Sequence, residues 1–294
     1  MIPLGKGVVN RKFKKSIDFF CFRVTIFLAT TERLILMRIL FIGDVVSGPG
    51  TTFLLDNLWN IRKECSADVV IANGENSADG NGILPFSADR LFSAGVDIIT
   101  GGNHSFRRRE IYSYIDEQEY LLRPVNYPTD VPGCGYCIYT TDRGDRIAVI
   151  SMLGTYMLDA FECPFKTADR LIEKISEQTK NIIIDFHAEA TSEKRAFAEY
   201  VAGRVSAVVG THTHVQTADE KILSDYTGFI TDVGMTGVID SILGVKKEDV
   251  IYRFTTKMPT RFNAATGDCE MNGVLIDIDA KTGKCTNIER YNKK

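Results

Sequence analysis

Six short apolar runs constrain the fold of this chain most strongly. Each run is three to six residues long and most are rich in β-branched residues, so each suits a buried strand better than a helix. Longer amphipathic stretches separate the runs, and this alternation is typical of an α/β fold. The runs are Ile39–Ile42, Val69–Ala72, Ile98–Thr100, Ile147–Met152, Ile182–Asp185 and Val205–Val209.

The stretches between the runs predict five helices. Ser87 and Thr167 are the residue types that cap helix N-termini, and Gly95 is a typical helix stop. The predicted helices are Thr51–Cys65, Ser87–Ala94, Arg108–Glu119, Thr167–Gln178 and Ser192–Ala202.

The pattern changes to shorter elements after residue 214. A helix is predicted within Lys246–Lys257, and two closing strands are predicted at Val274–Ile278 and Thr286–Tyr291. We expect a small cap within residues 235–270, and a single domain over residues 37–294.

Polar clusters follow five of the apolar runs, where the strands are predicted to end. Sites in open α/β sheets form at the carboxyl ends of strands, so these clusters are expected to converge. The chain has four histidines, and all four lie in these clusters. The candidate residues are Asp44, Glu75, Asn76, Asn103, His104, His187, His212 and His214.

These side chains predict a metal site. Imidazoles, carboxylates and amide oxygens together suit divalent iron, manganese or zinc. A carboxylate such as Glu75 can bridge two ions, which together clamp a phosphoryl group. His212 and His214 would point to the same side of an extended segment. Taken singly, Asp44 could instead cap a helix, and Asn103 could close a loop.

The overall composition limits the kinds of binding partner that we expect. The net charge of −3 gives no basic surface of the kind that long nucleic acids need. Seven scattered cysteines are typical of reduced thiols, which predicts a cytoplasmic protein. We expect no membrane partner, and the sequence leaves a homo-oligomer open.

Residues 1–36 differ from the rest of the chain. They hold seven basic and two acidic residues, and the apolar run Phe19–Leu28 is interrupted by Arg23. That run is far shorter than the ~20 residues of a membrane span. We interpret residues 1–36 as a non-core extension, either dispensable or the product of a mis-assigned start codon, since Met37 begins a core strand. A surface anchor is the alternative.

Longer strings around the clusters resemble one known family. GDVVSGPG, ANGENSADGNGI, GGNHSF, DFHAEATSEK, GTHTHVQTAD and ITDVGMTG are similar to the YmdB-like 2′,3′-cyclic-nucleotide 2′-phosphodiesterases of the metallophosphoesterase superfamily. The resemblance runs from Met37 to near the C-terminus. It implies a calcineurin-like metallophosphoesterase core, with layered β-sheets flanked by helices.

The resemblance also implies a role for each residue. Two divalent ions, iron first and manganese or zinc as alternatives, would be bound with Glu75 as the bridge, and His104 would be the proton donor. One ion would be held by Asp44, Glu75, Asn76 and His214, and the other by Glu75, Asn103, His187 and His212. Whereas the wider superfamily opens with Asp-x-His, this chain has Val46 two residues after Asp44, as this branch does.

The function implied is hydrolysis of a small cyclic nucleotide to a 3′-nucleotide, with a metal-activated hydroxide as nucleophile. Two alternatives remain open at this point. One is a nucleotide-sensing regulator with vestigial turnover, and the other is a phosphatase or nuclease on the same core.

Overall fold

The computed structural model describes residues 36–79, 81–159 and 162–294, so nearly all of the predicted extension lies outside the described residues. The strands are β1 Leu36–Ile42, β2 Asp44–Val45, β3 Val69–Asn73, β4 Ile98–Thr100, β5 Tyr136–Thr140, β6 Arg146–Leu153, β7 Ile182–His187, β8 Ala207–Thr211, β9 Lys221–Leu223, β10 Thr227–Ile230, β11 Met235–Val238, β12 Cys269–Asp279 and β13 Cys285–Lys293. The helices are α1 Ser47–Cys65, α2 Pro85–Ala94, α3 Ile111–Glu117, α4 Pro164–Ser176, α5 Thr191–Val201 and α6 Lys247–Thr256.

The strands form two sheets. The first has the order β2-β11-β12-β1-β3-β4, with β13 paired to β12, and the second has the order β5-β6-β7-β8-β10-β9. Strands β1, β3 and β4 are parallel, as are β6, β7, β8 and β10. Parallel neighbours end at the same edge of their sheet, so each sheet gathers its strand-end loops on one side.

Alternation along β1 shows how the layers pack. Met37, Ile39 and Phe41 enter the core between the two sheets. Leu40 and Ile42 face the other way and pack against α1 and α2. Helices α4 and α5 cover the outer face of the second sheet. This four-layer arrangement confirms the predicted α/β fold of layered sheets flanked by helices.

Two predicted helix N-caps are wrong. Helix α2 begins at Pro85 and α4 begins at Pro164, so Ser87 and Thr167 lie inside the first turn and are not N-caps. Proline suits the first helical position because its φ is already helical and its missing N–H would have no partner there. Gly95 ends α2 in a left-handed conformation, as predicted.

Other boundaries differ to varying degrees. The predicted helix Arg108–Glu119 is shorter, because Arg108 lies in a turn and donates from its guanidinium to the carbonyls of Asp79 and Asn81. The sequence did not indicate β5. Helix α6 and the closing strands β12 and β13 are confirmed.

The segment between β11 and β12 lies outside both sheets and contains α6. Val245 bridges Ile242 and Ala264 within it. The small cap expected within residues 235–270 stays a prediction. This segment is the part of that range that belongs to neither sheet. Among the described residues, every helix is too short or too polar to cross a bilayer.

Candidate metal centre

The two sheets bring their strand ends to one place. Asp44 follows β1, and the loops after β3 and β4 supply four further residues from the first sheet. His187 is the last residue of β7, and two histidines follow β8 in the second sheet. A connected set of contacts joins all eight residues predicted from the sequence, namely Asp44, Glu75, Asn76, Asn103, His104, His187, His212 and His214.

Glu75 lies at the centre of these contacts and is almost fully buried. Its Oε1 is 3.2 Å from His187 Nε2 and accepts a hydrogen bond from Asn76 Nδ2 at 3.0 Å. Its Oε2 accepts the backbone N–H of His104 at 2.7 Å. Gly102 is required here, because a Cβ would lie 2.4 Å from Glu75 Oε2.

His187 joins Glu75 to two other candidates. Its Nε2 lies 3.0 Å from Asn103 Oδ1 and 3.0 Å from His212 Nδ1. Glu75, His187 and His212 each present a ligand atom, and these atoms all lie within 4.8 Å of one another. This spacing is compatible with one metal ion bound among them.

Asp44 forms the other side of the cluster. Its Oδ1 is buried with no hydrogen-bond partner and lies 3.6 Å from His214 Nε2. Its Oδ2 accepts the backbone N–H of His212 at 3.1 Å. Asn76 Nδ2 lies 3.3 Å from the same His214 nitrogen. A buried carboxylate oxygen without a donor is a poor fit to an isolated protein and a good fit to a cation site.

The hydrogen bonds behind His187 make its Nδ1 a donor. Thr211 Oγ1 donates to Asp185 Oδ1 at 2.6 Å, so it accepts from His187 Nδ1 at 2.9 Å. His187 Nε2 then faces the oxygens of Glu75 and Asn103, which need positive charge beside them. The proton of an imidazolium supplies that charge in the protein alone, and a metal ion bound to the Nε2 lone pair would replace it. The donor set therefore fits a divalent metal.

The charges of the site favour a cation as well. Burial disfavours the charged imidazolium of His187, yet Glu75, Asp44 and Asp185 together outweigh it and raise its pKa to about 9. Burial would raise the pKa of Glu75, but His187 lowers it below its ordinary value. Burial raises the pKa of Asp185 to about 6, despite its hydrogen bonds.

The prediction that His212 and His214 point to the same side assumed an extended segment, but the segment is not extended. Their φ angles are 105° and 62°, because the chain leaves β8 in the left-handed region. Both rings nevertheless reach the site. His212 Nε2 contacts Glu189 Oε2 at 2.9 Å, and His214 Nδ1 lies 3.4 Å from the Leu243 carbonyl oxygen.

A buried ion pair supports this segment. Lys194 Nζ donates to Asp232 Oδ2 at 2.7 Å, and both side chains are 1% exposed. The same oxygen accepts the backbone N–H of Thr213 at 3.0 Å. Sequence reasoning missed Lys194 and Asp232, although both lie in the strings that resembled the family. A charged residue within those strings was the available signal.

His104 lies beside the cluster rather than within it. Its ring Nδ1 is 3.2 Å from Arg107 Nε, which donates to it, so Nε2 carries the proton. Burial, together with Arg107, lowers the pKa of His104, and Glu75 only partly opposes them. The ring is half-buried, and it is not among the three groups whose ligand atoms lie within 4.8 Å of one another.

Known proteins are similar to this chain over nearly all of the described residues. Residues 40–291 match the family described as "YmdB-like protein". A relative from Bacillus subtilis (strain 168), named 2′,3′-cyclic-nucleotide 2′-phosphodiesterase, is 47% identical over 254 residues, which cover 86% of this chain and 96% of the relative. The chain belongs to the YmdB-like family. The resemblance expected from the motifs is confirmed.

Solved structures agree with this family. A protein from Thermus thermophilus, described as hypothetical, has a TM-score of 0.82 at 40% identity, over 87% of this chain and 99% of its own. A structure described as a novel phosphatase from Mycoplasma pneumoniae has a TM-score of 0.81 at 33% identity, over 88% of this chain and 93% of its own. The two-sheet fold is thus shared by these relatives.

The hydroxyl of Thr211 is predicted to tune metal affinity. Thr211→Val keeps the shape of the side chain but removes the acceptor that orients His187 Nδ1. Outer partners of this kind typically contribute roughly 10- to 100-fold in metal affinity, and we expect a loss in that range. Titration of the metal-free protein with manganese measures it.

Thr227→Val is the matched control. Thr227 is also fully buried, but its hydroxyl donates to the backbone carbonyl of Val205, and it accepts from the backbone N–H of Gly203. This variant should lose stability and keep its metal affinity. Equal metal affinity in the two variants would contradict the orienting role of Thr211.

Proposed function

We propose that this chain is a dinuclear-metal phosphodiesterase that hydrolyses 2′,3′-cyclic nucleotides to 3′-nucleotides. Membership of the YmdB-like family and the 47% identical relative support phosphodiesterase activity. The observation that carries the proposal is the buried carboxylate of Glu75, whose Oε1 contacts one residue of each candidate ligand group, His187 at 3.2 Å and Asn76 at 3.0 Å.

The contacts divide the candidate ligands into two groups that share Glu75. His214 Nε2 lies 3.6 Å from Asp44 Oδ1 and 3.3 Å from Asn76 Nδ2. These three residues would hold one ion with Glu75, Asn76 through its amide oxygen. The other ion would be held by Glu75, Asn103, His187 and His212, whose contacts with His187 span 3.0–3.2 Å.

Iron suits this mixture of nitrogen and oxygen ligands, and manganese or zinc are the alternatives. Such ions supply positive charge to a phosphate group and lower the pKa of a bound water toward neutrality. Asp44 and Glu75 are almost fully buried, so they would offer their negative charge to such ions with little competition from water.

His104 would donate the proton that the departing 2′-oxygen needs. Its Nε2 is free of Arg107, whose Nε donates to Nδ1. Proton donation requires the imidazolium, so Nδ1 would take up a proton and its hydrogen bond from Arg107 Nε would break, and the negative charge of a bound phosphate would favour that form. The lowered pKa of His104 makes this imidazolium a stronger acid. The P–O2′ bond breaks, water adds its oxygen to phosphorus, and the 3′-phosphate remains.

A substrate panel tests the function. Purified protein loaded with iron or manganese should hydrolyse adenosine 2′,3′-cyclic phosphate to 3′-AMP. Negligible turnover with tight nucleotide binding would favour a nucleotide-sensing regulator. Activity on phosphopeptide or DNA, without activity on cyclic nucleotides, would favour a phosphatase or nuclease.

The bridging role of Glu75 predicts a defined loss. Glu75→Gln removes the charge that neutralises two cations, so we expect at least one ion to be lost and turnover to fall almost to zero. Metal content per chain measures the first effect. Glu189→Gln is the control and should keep both ions, since within the described residues the ion-pair contact of Glu189 is to His212 Nε2. Two ions in the Glu75 variant would disprove bridging.

If His104 is a proton donor and not a metal ligand, its removal should affect the reaction rate but not metal binding. His104→Ala should keep both ions and slow hydrolysis of the cyclic nucleotide by roughly 10²–10⁴-fold, the usual range for a lost general acid. The loss should be smaller with an aryl phosphodiester, because a phenolate leaves without a proton. His212→Ala, in contrast, should lose metal. Equal slowing of aryl and alkyl substrates in His104→Ala would rule out proton donation.

A further inference from the structure

An arginine-lined cleft lies next to the metal centre. Its volume is about 450 Å³, and it is lined by Arg107, Arg108 and Arg261, with Asp79 as its carboxylate. In the described part of the chain, none of the three guanidinium groups forms an ion pair with a carboxylate. Three like charges that line one cleft repel each other, so an anion in the cleft would be stabilised.

The cleft adjoins a smaller cavity that reaches the candidate site. A smaller cavity of about 100 Å³ is lined by Asn76 and His214 on one side and by Asn81 and Phe262 on the other. Asn81 and Phe262 also line the arginine cleft. A ligand whose phosphate reached Asn76 and His214 would thus have the arginines as neighbours on the far side of Phe262.

Arg107 ties the cleft to the reacting end of the substrate. Its Nε contacts His104, and the His104 backbone contacts Glu75, so the guanidinium lies two contacts from the proposed bridge. Phe262 is 42% exposed at the junction of the two cavities, where it offers an apolar surface to a ribose or a base.

A single cyclic phosphate leaves these arginines without a charged partner. The proposed ions would already neutralise that phosphate at the metal centre, yet Arg261 and its neighbours lie beyond it. Arginine is the residue type that binds phosphate oxygens through paired N–H groups. The cleft thus has the charge and chemistry for a second phosphate on the same nucleotide.

We propose that the arginine cleft binds a phosphate on the 5′-oxygen of the cyclic nucleotide, an inference that rests on the proposed function. Two sources share this chemistry: a free 5′-phosphate, and the phosphodiester that joins the nucleotide to a preceding one. Short oligoribonucleotides that end in a 2′,3′-cyclic phosphate carry the latter. The 5′-phosphate is unchanged in the reaction, and only the P–O2′ bond breaks.

Turnover of three substrates tests the proposal. They are adenosine 2′,3′-cyclic phosphate, its 5′-phosphorylated form, and the dinucleotide ApA with a 2′,3′-cyclic phosphate end. We expect the second phosphate to lower KM by about tenfold, the effect of one charged hydrogen bond. A gain with only one of the two longer substrates identifies the source.

Arg261→Gln should abolish this gain and leave kcat/KM for the plain cyclic nucleotide unchanged. Arg109→Gln is the control, because Arg109 is exposed and lies two residues after Arg107 but does not line the cleft. It should keep the full preference. Equal kcat/KM for all three substrates in the unaltered enzyme would overturn the proposal, as would a preference that survives in Arg261→Gln.

Binding of the products provides a readout that does not need turnover. Adenosine 3′,5′-bisphosphate and 3′-AMP differ by one phosphate, and calorimetry should show about tenfold tighter binding of the bisphosphate. Arg261→Gln should bind the two equally. If plain cyclic nucleotide is not hydrolysed but the bisphosphate still binds more tightly, the proposed function fails and the phosphate cleft stands. Equal binding of the two products by the unaltered protein refutes the cleft.

Discussion

The candidate site of this fold depends on two carboxylates that are buried without a lysine or arginine partner. Asp44 and Glu75 are almost fully buried, and their ion-pair partners among the described residues are histidines. An ionised carboxylate away from water is strongly unfavourable unless it is paired or bound to a cation. Stability at this edge of the sheets is therefore linked to whatever positive charge the site holds, and a protein bound to metal would gain stability from it.

The two sheets make this arrangement possible. Neither sheet supplies a full ligand set, because β1, β3 and β4 carry the carboxylates and amides while β7 and β8 carry three of the histidines. The apolar side chains of β1 and its neighbours lock the sheets together through the central core. Packing between the sheets therefore positions the candidate ligands, and an edge-on shift would separate Glu75 from His187.

The sequence was a better guide to the fold and to the candidate residues than to the contacts that hold those residues in place. Apolar runs and strand-end clusters depend on local pattern, so Glu75 and His187 were visible in the sequence. Contacts such as Asp185 with Thr211, and Lys194 with Asp232, join residues distant in sequence and have no local period. Arg107 escaped notice for a related reason, since its importance lies in the distance of its side chain to the ring of His104.

The number of ions at Glu75 is the most direct measurement of the central claim. Anomalous X-ray diffraction from crystals of the protein purified with iron or manganese, paired with metal analysis in solution, locates and counts the ions. Two peaks that share Glu75, one beside Asp44 and His214 and the other beside His187 and His212, are predicted. One peak, no peak, or two peaks that do not share Glu75 would contradict the dinuclear site.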